Sequence, residues 1–374
     1  MTNKFASAPE RKNQFTNQEL ETNLNALADH YRDSDWLVQY QDDLYDTLRE
    51  AIFVPFLYSR AADLMCRIMP RMVVGDDFRR WTALLWDAMQ DALTHQNGEL
   101  LADIFANLGF GLVMAGDVSR ARASLVKAME RATNDASQDK ALLAYIGLFR
   151  IETFDYSAHV DDETVRQALD LAGAVGEHVL TMLLYGALCG VYSHRGQLSE
   201  ALAYGYTAIG YWYRTGNHYE IARTALMIAS AYRKVRLFSR AKQVIQLVQS
   251  HLDTTQGPQY RALTAYEHGV LDYYLRDYRQ AEAWLESALQ GFDALEWGHQ
   301  KTMTRHMLGL VYTEMGRYDD AEQALSLAFR SWRRLGNRYE HANVLYDLGD
   351  AADRRGDRAR AVQHFHAART TIDT

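Results

Sequence analysis

The sequence predicts an all-α protein, a solenoid of stacked helical hairpins. Two observations predict it. Proline, which breaks helices, occurs only four times in 374 residues, and an alanine recurs every 40 residues along the second half of the chain. The recurring residues are Ala201, Ala241, Ala281, Ala321 and Ala361, and Ala121 lies two periods before the first of them. A fixed period of this length is the sequence signature of a repeat architecture.

Each recurring alanine begins one stripe of an amphipathic helix. Four, seven and eleven residues after Ala321 stand Leu325, Ala328 and Trp332, and the other units carry mostly apolar or small residues at the same offsets. These offsets fall on one face of an α-helix. The stripe therefore predicts a helix that packs its alanine side closely against a neighbour.

Another helix precedes that stripe in every unit. Leu308-Gly309 place a small residue where two helices cross, and Tyr312 follows on the same helical face. Gly316 lies between the two helices, where glycine ends a helix at little conformational cost. The 40-residue unit is therefore a helical hairpin.

These residues resemble the tetratricopeptide repeat family. The residues that match its pattern in order and spacing are Leu308-Gly309, Tyr312, Gly316-Arg317-Tyr318, Ala321, Leu325 and Ala328. The 40-residue period is similar to the lengthened repeats of kinesin light chains, of bacterial sensor-regulators with helical-repeat receptor regions and of peptide-sensing Rap-type proteins. The resemblance implies a right-handed superhelix whose concave groove, lined by the first helix of each hairpin, binds a partner.

The repeat boundaries divide the chain into three predicted regions. Residues 1–18 predict a flexible tail, residues 19–97 an N-terminal helical cap or bundle with one degenerate hairpin, and residues 98–374 a solenoid of about seven hairpins. Residues 155–162 predict a longer loop inside the second hairpin. A cap is expected because the terminal repeats of a solenoid need a polar cover. The alternative role for residues 19–97 is an effector or dimerisation bundle.

Composition limits the classes of partner and compartment. The net charge of -8 comes from 40 basic and 48 acidic residues that are interspersed, which argues against a nucleic-acid partner. No apolar run approaches the ~18 residues of a membrane span, and the N-terminus resembles no signal peptide. We therefore expect a cytoplasmic protein with no membrane partner. Cys66 and Cys189 are too few for a disulfide framework and are interpreted as buried free thiols.

No residue pattern points to catalysis. The chain has no glycine-rich phosphate loop, no nucleophile elbow and no cysteine–histidine nucleophile signature. Its thirteen histidines show no zinc-protease spacing. We therefore expect a protein that is not an enzyme and that needs no cofactor or metal.

The groove side of the first helices supplies the candidate binding residues. Helical rotation places the residues nine and six before, and one and two after, the aromatic position on that side. From Gly216 onward this marks Arg223, Arg233, Lys234, Tyr266, Tyr273, Tyr274, His306, Asn343 and Tyr346. Tyrosine and arginine are typical of binding hot spots, so we expect an acidic or aromatic-bearing peptide. The alternative interpretation of these residues is ordinary solvated surface.

Two functions remain open from the sequence. The leading hypothesis is a scaffold or adaptor that holds a protein or peptide segment in an open groove. The alternative is a ligand- or peptide-sensing regulator whose superhelix changes on binding, and it requires a deep pocket with converging polar groups. In addition, Val362, Phe365 and Ile372 on the last helix predict a homo-oligomer through the C-terminal end, because no polar helix follows to cover them.

Overall fold

All regular structure in the described part of the chain is helical. The computed structural model describes residues 15–71, 78–94, 98–114, 117–132, 138–152, 160–251 and 258–373. The helices in chain order are α1 (Asn17–His30), α2 (Ser34–Gln39), α3 (Gln41–Ala51), α4 (Tyr58–Ile68), α5 (Phe78–Thr94), α6 (Gly98–Met114), α7 (Val118–Arg131), α8 (Gln138–Glu152), α9 (Asp162–Val175), α10 (His178–His194), α11 (Leu198–Thr215), α12 (His218–Lys234), α13 (Phe238–His251), α14 (Pro258–Tyr274), α15 (Tyr278–Ala294), α16 (Gly298–Glu314), α17 (Tyr318–Leu335), α18 (Arg338–Arg355) and α19 (Arg358–Asp373). The predicted all-α class is confirmed.

The N-terminal region begins inside the predicted tail. Helix α1 begins at Asn17 because the Thr16 hydroxyl accepts a hydrogen bond from the Glu19 amide, while the Glu19 carboxylate accepts one from the Thr16 amide at 2.7 Å. Helices α1 and α3 pack on α4, and α5 contacts α4 but packs mainly on α6. Residues 1–14 of the predicted tail and 155–159 of the predicted loop lie outside the described residues.

From Gly98 onward the helices pair into hairpins that stack. Helix α6 pairs with α7, and the pairing continues through α18 with α19. The first helix of each later hairpin packs on the second helix of the hairpin before it, and also on that hairpin's first helix. Stacking in one dimension, with contacts mainly between neighbours, is the architecture of a solenoid.

Close crossing of the two helices in a hairpin depends on one small residue. A Cβ built on Gly309 would lie 2.5 Å from Cγ of Leu325, and a Cβ on Gly269 would lie 2.5 Å from Cγ of Leu285. Both leucines are completely buried. The glycine twelve residues before the recurring alanine, and sixteen before the leucine that it meets, is therefore required by packing at these two crossings.

From α10 onward, the turn inside each hairpin uses a left-handed residue. Gly196 and Gly316 have φ values of 72° and 74° at this position. Arg236 and Arg276 adopt φ of 64° at the equivalent place without the freedom of glycine. This conformation costs an ordinary L-residue roughly 1–2 kcal/mol, so packing of the hairpins overrides local preference at these two turns.

The hydrophobic core changes character along the solenoid. One continuous cluster of buried residues runs from Leu20 in α1 to Ala225 in α12. Beyond it, the buried residues form smaller clusters, such as the one from Leu226 to Leu271 and the one from Ala321 to Ala351. The N-terminal helices therefore share a core with the first hairpins, whereas later hairpins are joined by local interfaces.

We expect Gly309→Ala to lower the free energy of unfolding by about 1–3 kcal/mol, because the added methyl group overlaps the buried side chain of Leu325. Chemical denaturation followed by circular dichroism measures the effect. Gly173→Ala in α9 is the matched control, since a Cβ there meets nothing within 4 Å and alanine favours the helix by roughly 0.5–1 kcal/mol. Equal stability of the two variants would contradict the close crossing.

Candidate partner-binding groove

The first helices of the hairpins form the inner layer of the solenoid. Helices α6, α8, α10, α12, α14, α16 and α18 each pack directly on the next one in this series. The second helices pack mainly on their own hairpin and on the next first helix. Closer spacing on the first-helix side curves the stack toward that side, so the inner layer is the concave surface.

A buried ion cluster fills the inner layer between α8 and α12. The Glu220 carboxylate is completely buried and accepts hydrogen bonds from Arg150 Nη2 at 2.7 Å and from Arg223 Nε at 2.9 Å. Arg150 is only 2% exposed, and its guanidinium lies 4.6 Å from the ring centroid of Phe110. Because Arg150 belongs to α8 and Glu220 to α12, the pair reaches across the intervening helix α10.

Helix α10 makes room for this cluster. A Cβ on Gly186 would lie 2.4 Å from Nη2 of Arg223, so a side chain at this position would displace that guanidinium from its place in the cluster. Met114 at the end of α6 completes the cluster, with its sulfur 3.1 Å from Arg150 Nη1 and 3.3 Å from the Tyr219 hydroxyl. Four first helices therefore meet at one place, where the protein's own side chains occupy the concave space.

The cluster carries excess positive charge. Burial by itself would raise the pKa of Glu220, but the charges and hydrogen bonds of Arg150 and Arg223 outweigh burial and hold that pKa below its usual value. Burial, followed by repulsion from Arg223, lowers the pKa of Arg150 to about 10. At neutral pH two guanidinium groups therefore share one carboxylate.

Two more cations lie at the end of α12. Lys234 Nζ donates a hydrogen bond to the backbone carbonyl of His194 at 2.7 Å, and Arg233 Nε lies 3.4 Å from Oε2 of Glu267 in α14. Burial, then the charge of Arg233, lowers the pKa of Lys234 to about 8. Burial, then Lys234, lowers the pKa of His194 to about 4. His194 is therefore neutral at pH 7, and Lys234 remains mainly cationic.

Carboxylates predominate on the inner layer at α16 and α18. His306 Nε2 contacts the carboxylate of Asp347, and its Nδ1 lies 3.8 Å from Oε2 of Glu340. Burial raises the pKa of Glu340, although His306 and a hydrogen bond from Asn343 act in the opposite direction. One histidine thus lies between two acids of the next first helix.

A second set of charges extends this acidic surface. Arg354 of α18 lies 3.0 Å from Glu314 of α16 and 2.9 Å from Asp350 of its own helix. Tyr273 of α14 lies near the same acids, since burial, then Glu314 and more weakly Asp347, raise the pKa of its hydroxyl to about 12. Tyr273 therefore lies beside the acidic part of the inner layer.

The remaining predicted groove residues occupy different environments. Tyr266 is half-buried with its ring centroid 6.5 Å from that of Phe292 in the second helix of its own hairpin. Tyr274 is 47% exposed and stacks on an aromatic ring of α13. Tyr346 is 61% exposed and lies 5.2 Å from the Phe365 ring at the end of the solenoid. Only part of the predicted set therefore shares one surface.

Several charged residues of the inner layer, among them Arg150, Glu220 and Glu340, lie outside the set predicted from the sequence. Glu220 and Glu340 each stand three residues after an asparagine that caps their helix, Asn217 and Asn337, whose side chains accept from the glutamate amides at 3.0 Å. That spacing is typical of exposed capping residues. The recurrence of this asparagine–glutamate spacing at the start of two first helices is the sequence feature that could have marked these glutamates.

The last hairpin presents an apolar surface, here named the C-terminal apolar surface, that includes Phe365 and Ile372. Ile372 is 65% exposed, and Phe365 is half-buried. In the preceding hairpin the equivalent residues Leu325 and Trp332 are almost completely buried beneath α18. Val362 is 66% exposed and is not among the residues that line the cleft beside Phe365 and Ile372.

No helix among the described residues has the length and apolarity to cross a membrane. No group of three or more histidine, cysteine, aspartate or glutamate residues in the described ranges is arranged to hold a metal ion. Cys66 and Cys189 are buried free thiols, as predicted, and burial raises the pKa of Cys189 to about 12.

We expect Glu220→Gln to lower the free energy of unfolding by about 3–5 kcal/mol, because Arg150 would stay buried without its carboxylate. Urea unfolding measures the loss. The control Glu163→Gln removes the carboxylate of an exposed pair with Arg166 in α9 and should cost less than about 1 kcal/mol. Equal losses would contradict the structural role of the cluster.

We expect the difference in unfolding free energy between the wild type and Glu220→Gln to depend on pH. The folded pKa of Glu220 lies below its unfolded value, so its stabilisation is present above the unfolded pKa and disappears as the pH falls through the folded pKa. The difference in unfolding free energy between the wild type and Glu220→Gln should therefore shrink in acid.

The comparisons with known proteins agree with this architecture. Residues 301–370, which span most of α16 to α19, match the model of the tetratricopeptide repeat family. No curated protein sequence matches the chain at a significant level.

Solved structures match over nearly the whole chain. A Rap protein complexed with competence and sporulation factor has a TM-score of 0.52 at 13% identity, covering 95% of this chain and 98% of its own. The apo quorum sensor NprR from B. thuringiensis has a TM-score of 0.51 at 13% identity, covering 83% and 97%.

A third structure shares only part of its length with this chain. It is a signal transduction ATPase with numerous domains and a tetratricopeptide repeat sensor, from Pyrococcus horikoshii, with a TM-score of 0.53 at 12% identity. The match covers 96% of this chain and 53% of that one. At these identities the likeness is one of fold. The repeat register, the stacked hairpins and the family match together identify the chain as a helical solenoid of the tetratricopeptide repeat type.

Proposed function

We propose that this protein is a cytoplasmic scaffold or adaptor, not an enzyme, that binds a segment of a partner protein or a peptide along the inner layer from α12 to α18. The observation that carries the proposal is the row of half-buried charged and aromatic groups on successive first helices, with Arg233, Tyr273 and His306 as its central members. Tyrosine offers a large contact area with few rotors to order, and arginine adds directional charge.

Two further observations support a protein or peptide as the ligand. Beyond α12 the buried residues divide into small clusters, so the later hairpins can adjust locally to an extended ligand. The net charge of -8 disfavours nucleic acid. Among proteins of similar fold, one was solved with competence and sporulation factor and another is a quorum sensor.

The alternative is a ligand- or peptide-sensing regulator. For a small-molecule ligand it requires a pocket in a different part of the inner layer. A sensor of small molecules needs a deep pocket with converging polar groups. Between α8 and α12 the converging polar groups are Arg150, Glu220 and Arg223, and they already fill the space against one another. This packing favours a ligand that lies along α12 to α18, which suits an extended segment.

We expect the double substitution Arg233→Glu with Tyr273→Ala to abolish partner capture, because it removes charge and contact area from neighbouring first helices. Tagged protein is recovered from lysate of the native organism, and co-purifying proteins are quantified by mass spectrometry. The control combines Arg279→Glu and Tyr213→Ala, which alter exposed residues of the second helices α15 and α11. Partners retained by the control and lost by the groove variant support the proposal.

Identical sets of partners from the wild type and the groove variant would overturn the assignment of the groove. Circular dichroism of all variants verifies that the helices remain intact. Loss of partners from both double variants would place the contact outside the inner layer and contradict the proposal equally.

A second copy of the chain is the proposed partner of the C-terminal apolar surface. Its residues Phe365 and Ile372 repeat the face that α17 buries beneath α18, and Tyr346 and Arg369 line the open cleft beside them. A hydrophobic face of this type, normally covered inside a solenoid, favours association.

We expect Ile372→Glu to lower the mass of the assembly at high protein concentration, because a charge would be placed on the C-terminal apolar surface. Light scattering coupled to size exclusion measures that mass. Val362→Glu is the matched control, since Val362 is equally exposed on the same helix but lies outside that surface. A wild type that is monomeric at all concentrations would refute the association.

A further inference from the structure

Charge is unevenly distributed along the inner layer. Near α8 and α12 lie four cations, here named the basic section: Arg150, Arg223, Arg233 and Lys234. Arg150 and Arg223 share the Glu220 carboxylate, Arg233 lies 3.4 Å from Glu267, and Lys234 donates to a backbone carbonyl. Two guanidinium groups on one carboxylate, with Lys234 bound to an uncharged acceptor, give this end positive character.

The opposite end of the inner layer has the reverse balance. Near α16 and α18 lie four carboxylates, here named the acidic section: Glu314, Glu340, Asp347 and Asp350. The basic groups in contact with them are Arg354 and His306. Acids therefore exceed permanent cations at this end.

Both sections lie on the same concave surface. Each section contains contacts that join one first helix to another, such as Arg233 with Glu267, Lys234 with the carbonyl of His194, and His306 with Asp347. Second helices take no part in these particular contacts. A ligand that lies along the inner layer therefore meets both sections.

Helix α14 separates the two sections and is rich in tyrosine. Tyr266 and Tyr273 are half-buried there, between the cations of α12 and the acids of α16 and α18. Leu263, one turn before Tyr266, is partly buried, whereas Val270 between the two tyrosines is buried in the core. This middle part offers aromatic and apolar contact without formal charge.

We propose that the groove binds an extended peptide in one fixed direction, with its carboxylate end at the basic section and its amine end at the acidic section. An aromatic or apolar side chain of the peptide lies against Tyr266 and Tyr273. This inference rests on the proposed function and adds the chemistry and polarity of the ligand.

The spacing of the helices sets the length of such a peptide. Neighbouring packed helices lie roughly 8–10 Å apart, so α12 and α16 are separated by about 16–20 Å and α12 and α18 by about 24–30 Å. An extended chain spans about 3.3 Å per residue. The ligand therefore has about five to nine residues between its charged ends.

Direction follows from repulsion as well as attraction. A peptide bound in reverse would place its ammonium group against Arg233 and Lys234 and its carboxylate against Glu340 and Asp347. Like charges brought together in a partly buried groove cost several kcal/mol, and such repulsion is how interfaces exclude incorrect orientations.

Selection from a random library of nine-residue peptides with free termini tests the proposal. The intact protein is immobilised, and bound peptides are sequenced by mass spectrometry. We expect acidic residues to be enriched in the C-terminal half of the bound peptides, basic residues in the N-terminal half, and an aromatic or apolar residue between them. An enriched peptide with an amidated C-terminus and its acidic residues replaced by amides should bind about tenfold or more weakly.

A charge reversal in the basic section is compared with a charge reversal outside the inner layer. Lys234→Glu should weaken the best enriched peptide about tenfold or more and remove the selection for C-terminal acids. Lys127→Glu, at an exposed lysine of the second helix α7, should leave affinity and selection unchanged. Fluorescence anisotropy measures affinity, and circular dichroism verifies the fold of both variants.

The outcomes separate the inference from the function on which it rests. Enriched peptides that lose binding with Arg233→Glu and Tyr273→Ala, but that show no charge polarity or the reverse polarity, overturn the direction and leave the groove intact. An absence of any groove-dependent peptide overturns the proposed function together with the direction.

Discussion

The buried ion pair between Arg150 and Glu220 determines how the concave surface is divided. It joins α8 to α12 across α10, and it does so where Gly186 leaves no side chain in the way. Burial of both groups is tolerated because each has its opposite charge at hydrogen-bond distance. At this point the inner layer is filled by side chains of the first helices α6, α8 and α12.

The change in the core follows the same boundary. Buried residues form one continuous cluster up to Ala225 in α12, whereas the hairpins that follow are joined by separate local clusters. A solenoid with nearest-neighbour interfaces has stability that sums over repeats. The hairpins from α14 onward can therefore shift individually while the first half of the chain remains one packed unit, which suits a groove that closes on an extended ligand.

Much of the fold could be predicted because it depends on local register. The spacing of Gly309, Ala321 and Leu325 recurs as Gly269, Ala281 and Leu285 and as Gly349, Ala361 and Phe365, so one period of sequence indicates how these hairpins pack. The candidate site was predictable only in part. Arg233 and Tyr273 follow from helical rotation, but the partner of each charge lies on another helix. Glu220, three residues after Asn217, has the pattern of an exposed capping residue and is instead completely buried.

The sequence by itself determined the helical class, the hairpin as the repeating unit, and the helix face that each regular hairpin turns toward its neighbour, because these depend on residues less than 40 positions apart. Only the tertiary structure decided which charges meet. Arg150 and Glu220 are 70 residues apart, and Tyr219 and Met114 are 105 apart. Such contacts depend on how several hairpins stack on one another, and a local sequence pattern does not determine that stacking. The uneven charge of the groove is therefore a property of the superhelix.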